Sequence, residues 1–154
     1  MPAIVDTGPL VAFFDRSERH HGWVAARIAE IEAPLLVCEP VLTETMYLLA
    51  RYPRAADTLF GLLHNGALRI AFQVEANIEQ LRRLLQKYRD TPMSLADACI
   101  VRMAEIHGRY DVLTLDSDCW RRSASSVCVQ PRGRASRTIC RTANRASLRP
   151  NSAK

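Results

Sequence analysis

Four short apolar runs, separated by longer stretches with helical periodicity, limit the fold of this chain more than any other feature. They cover residues 3–5, 35–38, 68–74 and 112–115. Strands that are buried on both faces of a parallel sheet read as unbroken apolar runs of this kind. The pattern therefore predicts an α/β domain in which helices cover both faces of a central parallel sheet of four or five short strands.

Helices are predicted between these runs, where apolar residues recur every three or four positions. The predicted segments are residues 10–14, 18–31, 39–51, 54–64, 75–90 and 94–107. Pro34, the pair Asn65-Gly66 and Gly108 each follow one of them and supply stop signals. Because ligands of such sheets bind beyond the carboxyl ends of the strands, functional side chains are expected at that edge.

Charge is divided unevenly along the 154 residues. Residues 1–118 carry 12 Lys and Arg against 16 Asp and Glu, whereas residues 119–154 carry nine Lys and Arg and no acid. The second part is rich in Arg and Ser, and it cannot bury enough apolar surface to offset the entropy lost on ordering. We expect a folded domain over residues 1–130 and a disordered basic tail over residues 131–154.

Several classes of protein do not fit the composition. The apolar stretch before Asp6 is too short for a signal peptide, and no run approaches the roughly 18 apolar residues of a membrane span. The five cysteines contain no C-x-x-C pair and the four histidines lack zinc-ligand spacing, so neither a disulfide framework nor a zinc site is predicted. We expect a soluble cytoplasmic protein with no membrane partner.

Four acidic residues stand where the apolar pattern predicts buried structure: Asp6, Glu44, Asp97 and Asp116. Asp6 and Asp116 follow the first and the fourth predicted strand, while Glu44 and Asp97 fall on the apolar faces of predicted helices. A buried carboxylate is costly unless something pairs with it. Two unit charges about 4 Å apart repel by roughly 4 kcal/mol at an effective dielectric near 20. Four converging carboxylates therefore predict a bound cation.

Each acid also has a simpler structural interpretation. Asp6 suits the N-cap of the helix that follows it, and Glu44 could form a salt bridge with Arg51 or another cation. Ser94 and Asp97 have the spacing of a capping box, a role that is compatible with metal binding.

Asp116 and Asp118 flank Ser117 after the fourth strand. A solvated turn explains Asp118, whereas Asp116 mirrors Asp6, and the Thr114 hydroxyl could add to the same site. The third ligand and the glycine of an EF-hand are missing. Oxygen ligands without His or thiolate suit Mg²⁺ or Mn²⁺, and phosphodiester hydrolysis is the chemistry that such a site favours.

Short motifs surround the four acids: IVDT at residues 4–7, PVLTE at 40–44, SLADA at 94–98 and LTLDSD at 113–118. In order and separation they resemble the PIN-domain ribonucleases, and in particular the VapC toxins of bacterial toxin–antitoxin pairs. The resemblance implies a Rossmann-like α/β/α fold, Mg²⁺-dependent RNA cleavage, homodimerisation and neutralisation by a VapB-type antitoxin.

The resemblance also implies roles for individual residues. Asp6, Glu44, Asp97 and Asp116 correspond to the acidic metal-binding quartet of that family, and Asp118 corresponds to an occasional extra ligand. Thr7 and Thr114 are predicted to support these carboxylates from behind. One ion or two would fit four carboxylates.

The chain departs from the family after Asp118. PIN-domain proteins usually continue there with an aromatic residue, a short helix and a last strand, whereas this chain continues through Trp120 into the Arg- and Ser-rich tail. One hypothesis is a change of reading frame near residue 119; translation of the coding DNA in the other two frames tests it. Residues 125–130 could supply a replacement edge strand around Val127 and Val129. The cations of the tail could also bind phosphates without sequence preference.

Three other functions are compatible with parts of the sequence. The D-T-G at residues 6–8 matches the aspartic proteases, although helical periodicity opposes their all-β fold. The D-x-D of Asp116 and Asp118 matches a phosphatase motif, but that motif normally ends the first strand and here it ends the fourth. The last alternative is a catalytically impaired PIN-like protein that binds RNA or an antitoxin.

Overall fold

The chain folds around a parallel β-sheet whose strands are only three residues long. The structure, a computed structural model, describes residues 2–90, 92–108 and 110–116, together with the backbone of residues 127–129. The strands are β1 (Ala3–Val5), β2 (Leu35–Val37), β3 (Leu68–Ile70), β4 (Asp111–Leu113) and β5 (Val127–Val129). They are arranged in the order β3-β2-β1-β4-β5, and every pair is parallel.

Helices connect the first four strands. They are α1 (Thr7–Phe14), α2 (His21–Glu30), α3 (Glu39–Leu48), α4 (Ala55–His64), α5 (Ile78–Lys87) and α6 (Leu95–Ile106), with a short 3₁₀ helix at Glu75–Asn77. Pro40 lies in the first turn of α3, where its missing N–H costs nothing. Gly66 follows the end of α4 with φ of 78°, a conformation that favours glycine over any residue with a side chain.

β1 is the centre of the sheet and the most protected strand. Ile4 is in register with Leu36 on one side and with Val112 on the other. All three side chains of β1 are buried, although successive side chains of a strand point to opposite faces. Both faces of the sheet are therefore covered. The buried apolar core joins these strands to α3 and α6 through side chains such as Val41, Ile100 and Met103.

The predicted α/β class with a parallel central sheet is confirmed, and the predicted strand count of four or five includes the observed five. The all-β fold of the aspartic proteases is thereby excluded. The edge strand expected around Val127 and Val129 is present as β5. The predicted boundary at residue 130, the tail beyond it and the change of reading frame near residue 119 lie outside the described residues.

Several predicted element bounds are too long. The third strand was expected over residues 68–74 but ends at Ile70, because Phe72 and Val74 pack against the core instead of continuing the ladder. The second helix was expected from residue 18 but begins at His21, because the Asp15 carboxylate holds the Ser17 amide in a turn. The helix expected over residues 75–90 begins as the 3₁₀ segment and ends at Lys87.

None of the helices in the described part of the chain combines the length and the apolar character that a bilayer crossing requires.

Candidate functional site

The predicted acidic residues lie on elements that meet at the carboxyl edge of the sheet. Asp6 follows β1, and Asp116 follows β4, the strand beside it. Glu44 is in the middle of α3, and Asp97 is in the first turn of α6. Asp6 precedes α1, Glu44 is on α3 and Asp97 is on α6, and α3 packs against both of the other helices. The carboxyl ends of the neighbouring strands β1 and β4 thus lie at the edge where α/β sheets bind ligands.

Asp6 is the residue to which the other parts of the site connect. Its backbone amide donates to the Leu113 carbonyl at 3.0 Å, which fixes the residue to β4. One carboxylate oxygen, Oδ1, accepts from the Thr7 amide at 2.7 Å, and the other, Oδ2, accepts from Thr114 Oγ1 at 2.8 Å. Asp6 is the N-cap of α1, so the simpler interpretation is correct. Capping engages Oδ1, and it is compatible with a functional role.

Thr7 connects Asp6 to Glu44. Its hydroxyl donates to Glu44 Oε2 at 2.9 Å, across 37 positions of sequence. Thr7 is buried and Glu44 is half-buried, so the hydrogen bond lies at the boundary between the core and the solvent. A single residue therefore positions two of the predicted acids, one through its backbone amide and one through its side chain.

Thr114 connects Asp6 to Asp116, as Thr7 connects Asp6 to Glu44. It is fully buried, and its hydroxyl accepts from the Asp116 amide at 3.0 Å while donating to Asp6. The hydroxyl thus fixes the backbone that carries Asp116 and the carboxylate of Asp6 at once. The sequence predicted both threonines as supporting residues, and the structure gives each of them two hydrogen bonds at this edge.

Asp97 forms the capping box predicted from its spacing to Ser94. The Ser94 amide donates to Asp97 Oδ2 at 2.9 Å, and the Asp97 amide donates to Ser94 Oγ at 3.1 Å. The capping box fixes the first turn of α6 and orients the Asp97 carboxylate. The negative charge of Asp97 nevertheless influences the site, because it raises the pKa of Asp6.

The surroundings of Asp6 raise its pKa above the ordinary value of an aspartate. Burial is the largest influence and raises the pKa of Asp6, and the negative charges of Asp97 and Asp116 raise this pKa further. The hydrogen bonds from Thr114 and Thr7 act in the opposite direction but do not cancel the shift. A cation at this edge would stabilise the ionised form that these neighbours disfavour.

The alternative interpretation of Glu44 as a partner of Arg51 is wrong. Arg51 Nη2 lies 3.4 Å from Asp15 Oδ2, at the end of α1. Asp15 also accepts from the amide and the hydroxyl of Ser17. The hydrogen bonds from Ser17 and Tyr52, with a smaller contribution from the Arg51 charge, lower the pKa of Asp15 to about 2. Sequence reasoning missed this cluster, because nothing in the local pattern distinguishes Asp15 from a surface acid.

The carboxylates fit a divalent cation in ligand type and charge, but they do not form a closed cage. Within residues 2–90, 92–108 and 110–116, no three Asp, Glu, His or Cys side chains converge closely enough to hold a metal ion. Asp118, the predicted additional ligand, lies outside the described residues. Hard carboxylate oxygens suit Mg²⁺, which retains several waters and needs only one or two protein carboxylates. The acid set is therefore compatible with an open, water-rich site.

Three further residues, Gly8, Cys38 and Cys99, pack at this edge. A Cβ on Gly8 would lie 3.3 Å from Leu115 Cβ, so glycine allows the first turn of α1 to approach the residue before Asp116. Cys38 and Cys99 are buried beneath the site, as expected of packing residues. A hydrogen bond with Cys99, together with burial, raises the pKa of the Cys38 thiol, so this thiol stays protonated.

Comparisons with known proteins agree with this architecture. The profile of the PIN domain matches residues 3–124. Ribonuclease VapC26 of Mycobacterium tuberculosis (strain ATCC 25618 / H37Rv) is 36% identical over 115 residues, which cover 73% of this chain and 85% of that protein. The crystal structure of Mycobacterium tuberculosis VapC20, described as a sarcin-ricin loop cleaving toxin, superposes with a TM-score of 0.69 at 21% identity. The superposition covers 77% of this chain and 93% of VapC20, and it demonstrates a shared fold.

Proposed function

This chain belongs to the PIN-domain family and is of the VapC type, and we propose that it is a Mg²⁺-dependent endoribonuclease that acts as the toxin of a toxin–antitoxin pair. One observation carries the proposal. Asp6, Glu44 and Asp116 are connected through two threonines at the carboxyl edge of the sheet, and the charges of Asp97 and Asp116 act on Asp6. The ribonuclease activity of the VapC26 relative, given by its name, supports RNA as the substrate.

Asp6, Glu44, Asp97 and Asp116, with Asp118, would hold one or two Mg²⁺ ions, or Mn²⁺ in their place. When bound, such an ion supplies charge neutralisation at the phosphodiester and lowers the pKa of a coordinated water. The carboxylates supply hard oxygen ligands, and a cation would offset the influence of Asp97 and Asp116, which raise the pKa of Asp6.

The two threonines prepare the site for this chemistry. The Thr7 hydroxyl holds one oxygen of Glu44, and the Thr114 hydroxyl holds one oxygen of Asp6. Hydrogen bonds from supporting residues orient ligands before the ion binds, and their loss typically lowers affinity or activity 10- to 100-fold. We infer that Thr7 and Thr114 have this positioning role.

The proposed partners are a VapB-type antitoxin and a second copy of the chain in a homodimer, both in the cytoplasm. Exposed apolar side chains on α3 and α4 support a protein partner. Tyr47 is 80% exposed, Leu48 is 52% exposed and Phe60 is 58% exposed. A neighbouring groove of about 290 Å³ is lined by Met46, Leu49 and Leu59 among others. Exposed large apolar side chains and an apolar groove are features that protein interfaces commonly use.

A second function has one observation in its favour. Because no three potential metal ligands of the described residues form a closed cluster, the chain could be a catalytically impaired PIN-domain protein that binds RNA or the antitoxin without cleaving. The two functions differ in a single property, namely metal-dependent turnover of RNA.

The decisive experiment incubates the purified full chain with a mixed RNA pool in Mg²⁺ and, in parallel, in EDTA. The nuclease hypothesis requires cleavage in Mg²⁺ that EDTA abolishes. Asp6→Asn and Asp97→Asn should each abolish cleavage, whereas Asp57→Asn, at an exposed position of α4, should leave it unchanged. RNA binding without cleavage, unaltered by Asp97→Asn, would establish the impaired protein instead.

A further inference from the structure

A polar cavity lies beside the acidic edge, at the carboxyl ends of β2 and β3. Its volume is about 450 Å³, and its lining includes Glu39, Ile70, Gln73, Asn77 and Ile106. A second hollow of about 430 Å³ shares Glu39 and Gln73 with it and extends to Glu75. Small-molecule and nucleotide sites have volumes of this order and combine apolar walls with a few polar groups.

Strand register gives the position of this cavity relative to the acidic site. Ile4 pairs with Leu36, so Asp6 is level with Cys38. Leu36 pairs with Arg69, and the Ala71 amide donates to the Val37 carbonyl, so Cys38 is level with Ala71. Adjacent strands lie about 4.8 Å apart, which places Ala71 about 10 Å from Asp6. An extended RNA strand cut at Asp6 would therefore bring a neighbouring nucleotide to the cavity.

Hydrogen bonds fix the position of Asn77 and of the Gln73 backbone in the cavity wall. Asn77 Nδ2 donates to the Gln73 carbonyl at 2.9 Å, and Arg102 Nε donates to Asn77 Oδ1 at 3.2 Å. Asn77 thus fixes the backbone of Gln73 to α6. The side chains of Glu39 and Gln73 are exposed, and neither forms a side-chain hydrogen bond with another described residue. Both are accessible to a ligand.

The charge of the lining selects a base over a phosphate. The two hollows contain Glu39 and Glu75 and, among the described residues, no Lys or Arg. A phosphate would be repelled there, whereas a carboxylate accepts a hydrogen bond from an exocyclic amino group, and Gln pairs with adenine in the same way. Ile70 and Ile106, which are 42% and 49% exposed, offer apolar contact to a flat ring.

We propose that this cavity is a base-reading subsite, in which Glu39 and Gln73 bind a nucleotide next to the cleaved phosphodiester and favour bases with an exocyclic amino group over uracil. The inference rests on the proposed ribonuclease function and adds a determinant of substrate choice. Single-stranded RNA is read in this manner, through hydrogen bonds to the edges of unstacked bases.

The test uses short single-stranded RNAs that are identical except for A, C, G or U at each position flanking the cut. For the wild-type protein, kcat/KM should be roughly five- to tenfold lower with uracil at one flanking position, the discrimination expected of a single polar contact to a base. Glu39→Gln should reduce this preference to less than about twofold, and Gln73→Ala should weaken it. Glu30→Gln, the same charge change at the exposed end of α2, should leave the preference intact.

A binding measurement separates this inference from the proposed function. Fluorescence anisotropy of the same RNAs with the Asp6→Asn protein reports base preference without cleavage. If the wild type cleaves but Glu39→Gln and Gln73→Ala retain its base preference, the subsite is wrong while the nuclease stands. If no RNA is cleaved but binding disfavours uracil in a Glu39-dependent manner, the nuclease is wrong while the cavity does read bases.

Discussion

Thr114 shows how much of this site depends on one hydroxyl group. Thr114 is fully buried, and its hydroxyl joins the Asp6 carboxylate to the backbone of Asp116. Thr114 and Asp6 are 108 positions apart in the sequence. Thr7 does the same for Asp6 and Glu44. The four acids could be selected from the sequence because a carboxylate within an apolar pattern is unusual, and all four are half-buried in the structure. The hydrogen bonds could not, because a threonine after a strand has many other uses.

Replacement of Thr114 by Val should lower kcat/KM for RNA about 10- to 100-fold, the effect typical of losing a group that orients a metal ligand. The valine has a similar shape but leaves Asp6 Oδ2 without its donor. Thr114→Ser keeps the hydroxyl and should restore most of the activity. Steady-state kinetics with both variants check the prediction, and equal activity of Val and Ser would contradict it.

Replacement of Asp6 by Asn should stabilise the protein at neutral pH in the absence of metal. Burial raises the pKa of Asp6, and Asp97 and Asp116 raise it further, so the protonated form favours the fold. This contribution is complete below the unfolded pKa and is lost as pH rises through the folded pKa. Urea unfolding of both proteins should therefore show a difference at pH 7 that shrinks towards pH 3. A variant less stable than the wild type at pH 7 would refute the argument.

Mg²⁺ should make the wild type more stable than Asp6→Asn. An ion that binds only the folded state raises the free energy of unfolding by about 2.7 kcal/mol at 100 times its Kd. The midpoint of thermal unfolding should rise with Mg²⁺ for the wild type and much less for Asp6→Asn. The measurement needs no RNA, so it tests the proposed metal site independently of cleavage. Equal shifts for both proteins would place the ion elsewhere.

Among the elements, the helices were easier to predict than their ends. The periodic residues of α5 and α6 identify both helices, but side chains decide where a helix starts, as Asp15 and Ser17 do before α2. The predicted length of the third strand was too great because Phe72, beyond the end of the strand, packs in the core. An apolar run reports burial, and burial continues after the ladder of hydrogen bonds has ended.

The junction between α1 and α3 should make the protein sensitive to acid. Hydrogen bonds from Ser17 and Tyr52 hold the pKa of Asp15 at about 2, so Asp15 stabilises the fold above about pH 4 and loses this effect as pH falls towards 2. Asp15→Asn should lower the urea midpoint at pH 7 and converge with the wild type near pH 2. Asp57→Asn, on the exposed face of α4, serves as the control. A constant difference across this range would contradict the assignment.

At the scale of the whole molecule, the sequence predicted the class of fold and the edge that carries the acids. It did not predict the strand order β3-β2-β1-β4-β5, because short apolar runs contain no information about their neighbours. Glu39, Gln73 and Asn77 meet only because β2 and β3 are adjacent. The role proposed for them depends on that pairing, so no local motif could reveal it.

Removal of residues 131–154 should leave the domain folded and weaken the salt dependence of RNA binding. This segment holds seven Lys and Arg and no acid. If these cations contact phosphates, the slope of log K against log salt falls by about 0.7 for each lost contact with single-stranded RNA. Filter binding of the full and shortened chains at several salt concentrations tests this. An unchanged slope would exclude the tail from the complex, and loss of folding would contradict the domain boundary at residue 130.

The hydrogen bond from the Asp6 amide to the Leu113 carbonyl has a consequence for thermal inactivation. Because that hydrogen bond joins the carboxyl ends of β1 and β4, its N–H should exchange with deuterium when these two strands separate there. On heating, the position of Asp6 should therefore be lost together with the pairing of β1 and β4.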